Sequence, residues 1–151
     1  MNRKLSIMKQ YILRITGSMC FLFIAILCKA QQTGTLTIEA INFTNNKGSA
    51  IIQLFREQDD VPEKPFKNVK AEIVHGKAQI IFNEIPYGNY AAILFHDENA
   101  NGILDHKLGF PNEDMGFSNQ WKLSLFSGMP TFTKLKFSFK QQDTPYVISI
   151  H

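Results

Sequence analysis

Between His96 and Asn119 the chain reads HDENANGILDHKLGFPNEDMGFSN. Counting from Asp97, oxygen-bearing side chains recur at the third, fifth and ninth places as Asn99, Asn101 and Asp105. Gly102 holds the sixth place, where a loop must reverse sharply, and Ile103 at the seventh can offer its backbone carbonyl. Calcium takes six to eight oxygen ligands, and this alternation lets one tight loop supply most of them. The helical calcium hand has a bidentate Glu at the twelfth place, whereas Leu108 stands here. The missing carboxylate must come from farther along, and Glu113 or Asp114 is nearest. The candidate metal ligands are therefore Asp97, Asn99, Asn101, Ile103, Asp105 and Glu113, with Ca2+ as the expected ion. Two carboxylates and two neutral amides suit the weak range of extracellular modules, ~10⁻⁴–10⁻³ M, unless Glu113 joins. Magnesium suits the loop less, because it sheds its water reluctantly. The competing reading is an Asx-rich turn whose side chains bond their own backbone amides and hold no ion.

Other chemistry is thinner. His96 and His106 flank the loop, but ten residues apart and without a third nearby imidazole they make a poor zinc set. No G-x-S-x-G elbow is present. Trp121, in FSNQW, is either a stacking platform for a sugar or a core plug.

A loop of this kind needs a rigid scaffold and a compartment that contains calcium. The N-terminus speaks to the compartment: MNRKLSIMKQYILR carries Arg3, Lys4, Lys9 and Arg14 with no acid, and the apolar run from Ile15 to Cys28 leads into CKA. This is the layout of a secretory signal peptide cleaved after Ala30, which divides the chain into a leader, 1–30, and a domain, 31–151. The apolar run is shorter than the ~20 residues of a membrane span. A lipid on Cys28 is disfavoured by the bulky Leu27 before it. The expected location is secreted or periplasmic, with outer-membrane association as a variant and no transmembrane anchor after cleavage.

Five of the 16 Lys and Arg residues, and none of the 13 acids, lie in the leader, so the domain carries a net charge of −2 rather than the +3 of the whole chain. No basic surface remains for nucleic acid. Cys20 and Cys28 leave with the leader as well, which removes disulfides, thiolate metal sites and cysteine nucleophiles.

The domain reads as all-β. TGTLTIEAINF alternates, with Leu36, Ile38 and Ala40 on one face, and SAIIQLFRE follows the turn NNKGS. NVKAEIVH and AQIIFNEI flank the tight turn HGK and look like a hairpin. Tyr90 to Phe95 is apolar on both faces, the mark of a central strand. WKLSLFSG is expected as a short strand, and PYVISI as the last one. TFTKLKFSFK places Thr133, Leu135, Phe137 and Phe139 on one face against Lys134, Lys136, Ser138 and Lys140. No window supports an amphipathic helix. The expectation is a single antiparallel β-sandwich of seven to eight strands, immunoglobulin-like or prealbumin-like, with a long loop after a central strand.

The run FHDENANGILD, then LGFPNEDMGFSN, then MPTFTKLKF resembles the secreted bacterial family known as domain of unknown function 2141, common in Bacteroidetes-type genomes. The turn IPYGNYAA is similar to those of transthyretin-like and carboxypeptidase-regulatory-like sandwiches. One departure is visible: Asp114 and Met115 follow Glu113 where the family has Gly. The resemblance implies export and the loop, and assigns no activity. Two functions follow as expectations. One is a secreted, non-catalytic, calcium-stabilised module with a binding or accessory role toward a protein, peptide or glycan at the cell envelope. The alternative is a small transthyretin-like hydrolase acting on a compact polar substrate. That enzyme needs converging His and Arg, yet Arg56 is the one arginine of the domain, and PYVISIH stands where a YRGS-type ending would be.

Overall fold

The computed structural model describes residues 32–151 except 125 and 142–143, so the expected leader lies outside the described residues. Ten strands form in chain order: β1 Thr33–Ile41, β2 Ser49–Phe55, β3 Lys67–Ala71, β4 Lys77–Pro86, β5 Gly88–Asp97, β6 His106–Lys107, β7 Phe110–Pro111, β8 Met115–Phe117, β9 Phe137–Phe139 and β10 Tyr146–Ser149. One helical turn, α1, covers Phe132–Leu135.

Two sheets make a β-sandwich. One is three-stranded, β10-β1-β4; the other is five-stranded, β3-β2-β5-β8, with β9 pairing the first residues of β5. β6 and β7 form a separate two-stranded ribbon inside the long loop. Leu36, Ile38, Ala40, Ile80, Phe82 and Ile148 of the first sheet meet Ala50, Ile52, Leu54, Ala92, Leu94 and Phe139 of the second. The other face of the second sheet is also covered. Phe55, Ala91, Ile93, Phe117 and Leu135 form a second apolar cluster there, with Trp121 and Phe132 packed against it. β5 is thus buried on both faces along Tyr90–Asp97, as its unbroken apolar run requires.

Four expectations are corrected. The pairing of β1 with β10 is parallel, because the last strand returns along the edge of the first sheet in the direction of β1. NVKAEIVH and AQIIFNEI do not make a hairpin: β3 pairs with β2, β4 pairs with β1, and the segment between them crosses from sheet to sheet. The HGK turn itself forms, with a Val74–Lys77 bridge around His75 and Gly76, both at positive φ. Residues 121–124 of WKLSLFSG are irregular rather than a strand.

The fourth correction concerns TFTKLKFSFK, which is not one strand. Its first part coils into α1, closed by the Lys134 and Leu135 N–H groups on the Thr131 carbonyl (3.1 and 3.2 Å). Lys134 Nζ ties that turn to the preceding loop by donating to the carbonyls of Ser127 (2.7 Å) and Met129 (2.8 Å). The turn sends Leu135 into the outer cluster while Phe137 and Phe139 enter the main core. Alternation alone had put all three on one face.

Candidate metal centre

β5 delivers Asp97 to the edge of the sandwich with its side chain fully buried. The carboxylate terminates a tight turn: Oδ1 accepts the Asn101 N–H and Oδ2 the Gly102 N–H, both at 3.0 Å. Ala100 (φ 59) and Gly102 (φ 82) bend the backbone around it. Asn99 Oδ1 accepts the Asn101 N–H (3.0 Å) and Asn101 Oδ1 accepts the Ile103 N–H (2.9 Å). Their amide groups then reach Asp105, with Asn99 Nδ2 donating to Oδ2 (2.6 Å) and Asn101 Nδ2 to Oδ1 (3.0 Å).

After Asp105 the chain runs out along β6, turns at Leu108 (φ 52) and Gly109 (φ 83), and returns along β7. Consecutive positive φ values give a two-residue hairpin turn whose twist suits the ribbon. The return brings Asn112 N–H to the Asp105 carbonyl (2.8 Å) and the Glu113 carboxylate to the Asp105 N–H (3.3 Å). Leu108, at the tip, is 92% exposed and takes no part in the centre.

The structure thus gathers Asp97, Asn99, Asn101, Asp105 and Glu113 around one loop. Ile103 joins it through its backbone, while its side chain is exposed. Asp114 faces elsewhere: Oδ2 accepts from Thr44 Oγ1 (3.5 Å), and its carbonyl accepts the His96 N–H (3.0 Å). Among the described residues no three His, Cys, Asp or Glu side chains converge closely enough to hold a metal alone. The carboxylates are separated by the two amides.

The electrostatics of the loop are acidic. Burial pushes the Glu113 carboxyl above its ordinary value, the Asp105 N–H pulls it back, and the negative charges of Asp105 and Asp97 push it up further, with His96 opposing them. The nearest cation is Lys70, whose Nζ lies 3.9 Å from Asp97 Oδ2. An ionised carboxylate has about four lone-pair positions. Asp97 Oδ1 accepts one backbone N–H and retains acceptor capacity, whereas Oδ2 accepts from Ser49 Oγ as well as the Gly102 N–H and faces Lys70. A hard cation at this loop would replace the amide N–H groups on Asp105 as the source of positive charge.

Three contributors escaped sequence reading. Lys70 comes from β3, and Ser49 Oγ lies 3.5 Å from Asp97 Oδ2. Gly48 (φ 65) lets the β1–β2 loop pass directly over Asp97: a Cβ there would stand 1.9 Å from the Asp97 carbonyl oxygen. The glycine of NNKGS was the available signal, but it read as an ordinary turn residue.

His96 packs in the main core side of β5, edge-on to Phe43, with Nε2–H donating to the Lys47 carbonyl (2.8 Å). Trp121 is half-buried, edge-on to Phe117 with ring centroids 4.7 Å apart, and Lys134 Nζ stands 5.7 Å over its ring. It plugs the outer cluster. Arg56 is held by Asp59 through Nε (3.1 Å) and Nη2 (2.9 Å).

A family profile described as "Uncharacterized protein conserved in bacteria (DUF2141)" matches residues 38–146. The chain belongs to this family. The DUF2141 match runs from β1 to the first residue of β10 and contains the whole loop from Asp97 to Glu113. No curated protein and no solved structure matches the chain. Among the described residues no helix is long and apolar enough to cross a membrane.

Proposed function

We propose that this DUF2141 chain is an exported, non-catalytic module of the cell envelope whose β5–β6 loop binds calcium. Bound calcium stiffens the loop, and the stiffened module serves a binding or accessory role toward a protein, peptide or glycan. The observation that carries the reading is the buried Asp97 carboxylate, which folds positions 97–102 into a turn and keeps acceptor capacity on Oδ1, in a loop that also holds Asp105 and Glu113. The hydrolase alternative finds no support, since Arg56 is engaged by Asp59. Export rests on the basic N-terminus and the CKA site, and predicts a mature chain that begins at Gln31.

Calorimetric titration of the purified protein with calcium tests the ion site, with magnesium as control. The expected dissociation constant is ~10⁻⁴–10⁻³ M, tighter if Glu113 coordinates. Absence of heat, together with melting that ignores calcium and chelator alike, would reject it in favour of a self-satisfied Asx turn.

A further inference from the structure

We propose that β4 is a self-pairing edge, to which a second copy of this chain adds its own β4 antiparallel about a two-fold axis at Ile81. The argument begins with the direction of backbone groups. Lys77 stands opposite Ile41 across β1 and β4, yet its N–H and C=O turn away to Val74 (3.1 and 2.7 Å). Ile41 likewise turns away, its carbonyl accepting the Ile150 N–H at 3.0 Å. The two therefore form a pair that does not bond across the ladder. Antiparallel pairs alternate, so Ala78, Ile80 and Phe82 bond β1 while the N–H and C=O of Gln79, Ile81 and Asn83 point outward. Among the described residues β4 pairs with β1 alone, and no backbone partner meets those outward groups.

Open edges are usually guarded by charge, proline or a bulge. Residues 78–83 read AQIIFN, with neither charge nor proline, and Ile81 in their midst is 51% exposed. The guards stand only at the ends, where Lys77 precedes the stretch and Glu84 (φ 56) breaks the extended conformation after it. A hollow of 420 Å³ lined by Glu39, Glu72, Val74, Lys77, Ala78 and Gln79 lies beside the first half of the strand.

The three outward residues select the partner. With Ile81 opposite Ile81 of the second copy, Gln79 falls opposite Asn83 and Asn83 opposite Gln79. Every outward backbone group then has a partner, the side-chain amides meet amides, and no like charges face each other. Glu84 of the second copy comes alongside Lys77. Sliding the register by one pair would set Asn83 against Lys77, whose backbone groups Val74 already holds. The Ile81-centred register alone uses the whole edge, and it is isologous, as a closed dimer requires. The two small sheets become one, β10-β1-β4-β4-β1-β10.

Sedimentation equilibrium and amide exchange of the full-length protein across a range of concentrations test this. Dimerisation should rise with concentration, and protection of the Gln79, Ile81 and Asn83 amides should rise with it. Ile81→Lys, an exposed substitution, should yield a folded monomer whose melting no longer depends on protein concentration. Gln79→Lys combined with Asn83→Glu places opposite charges across the axis and should keep the dimer. Gln79→Lys combined with Asn83→Lys should lose it. A protein monomeric at every concentration, or a dimer indifferent to Ile81→Lys, would overturn the proposal. So would edge amides protected in the monomer, which would assign the edge to another strand.

Discussion

The Glu113 carboxylate accepts the backbone N–H of Asp105 at 3.3 Å, although eight residues and a complete β-ribbon separate them in the chain. This contact turns a run of acids into a closed loop. It also makes Glu113 the residue through which pH acts on the loop, because burial and the charges of Asp105 and Asp97 hold its carboxyl above the ordinary value of 4.5.

A raised acid pKa means that the folded chain binds the proton more tightly than the unfolded chain. The stability it contributes is fully present below 4.5 and is lost as pH rises through the raised folded value. In chelator, thermal melting followed across that window should fall for the wild type and fall less for Glu113→Gln. At neutral pH without calcium, Glu113→Gln should melt higher than wild type. Identical pH profiles would show that Glu113 does not carry the effect.

Asp97 and Glu98 are neighbours with opposite expected behaviour. Asp97→Ala removes the acceptor of two backbone N–H groups and should cost about 2–3 kcal/mol by chemical denaturation. It should also abolish the calcium-induced stabilisation expected of wild type, about 1.4 kcal/mol when calcium exceeds its dissociation constant tenfold. Glu98 instead accepts from Asn45 Nδ2 at 2.7 Å, beside the β1–β2 loop. Glu98→Ala should therefore keep the calcium response.

Gly48→Ala should be severe for a residue in an exposed turn. The added Cβ meets the Asp97 carbonyl oxygen at 1.9 Å, and φ of 65° already disfavours a side chain. The expected loss is at least about 2 kcal/mol in denaturant, from backbone strain and overpacking together. A loss no larger than that of an ordinary surface substitution would place the β1–β2 loop elsewhere.

Phe137 is 7% exposed and stacks on Tyr146 with ring centroids 4.1 Å apart. Phe137→Ala should cost ~3–5 kcal/mol. Lys136→Ala, one position away on the exposed side, should change the denaturation midpoint little. Equal costs would reverse the facing of β9.

Much of the architecture was legible because burial writes itself into the chain with a period of two. Leu36, Ile38 and Ala40 alternate with polar neighbours, and Tyr90–Phe95 is apolar throughout, so the facing of β1 and the central place of β5 could be read directly. The turn that Asp97 closes over Asn101 and Gly102 was legible too, because its spacing is local and can be counted along the chain.

Periodicity carries no record of partners, however, and partners were decided in three dimensions. AQIIFNEI lies within β4, but only the first half of NVKAEIVH is strand, and Ile73 reaches the main core because the chain crosses between sheets there. Leu135 and Phe137 keep even spacing but bury in different clusters, since one turn of α1 rotates the chain between them. The ribbon of β6 and β7 was hidden because Leu108, rather than Asn or Gly, opens its turn. By itself the sequence determined which residues are buried and which oxygens could share a loop, because both follow from local alternation. Only the tertiary structure decided that Glu113 folds back to Asp105, that Gly48 lies over Asp97 and that β4 ends its sheet among the described residues, because each depends on packing between segments far apart in the chain.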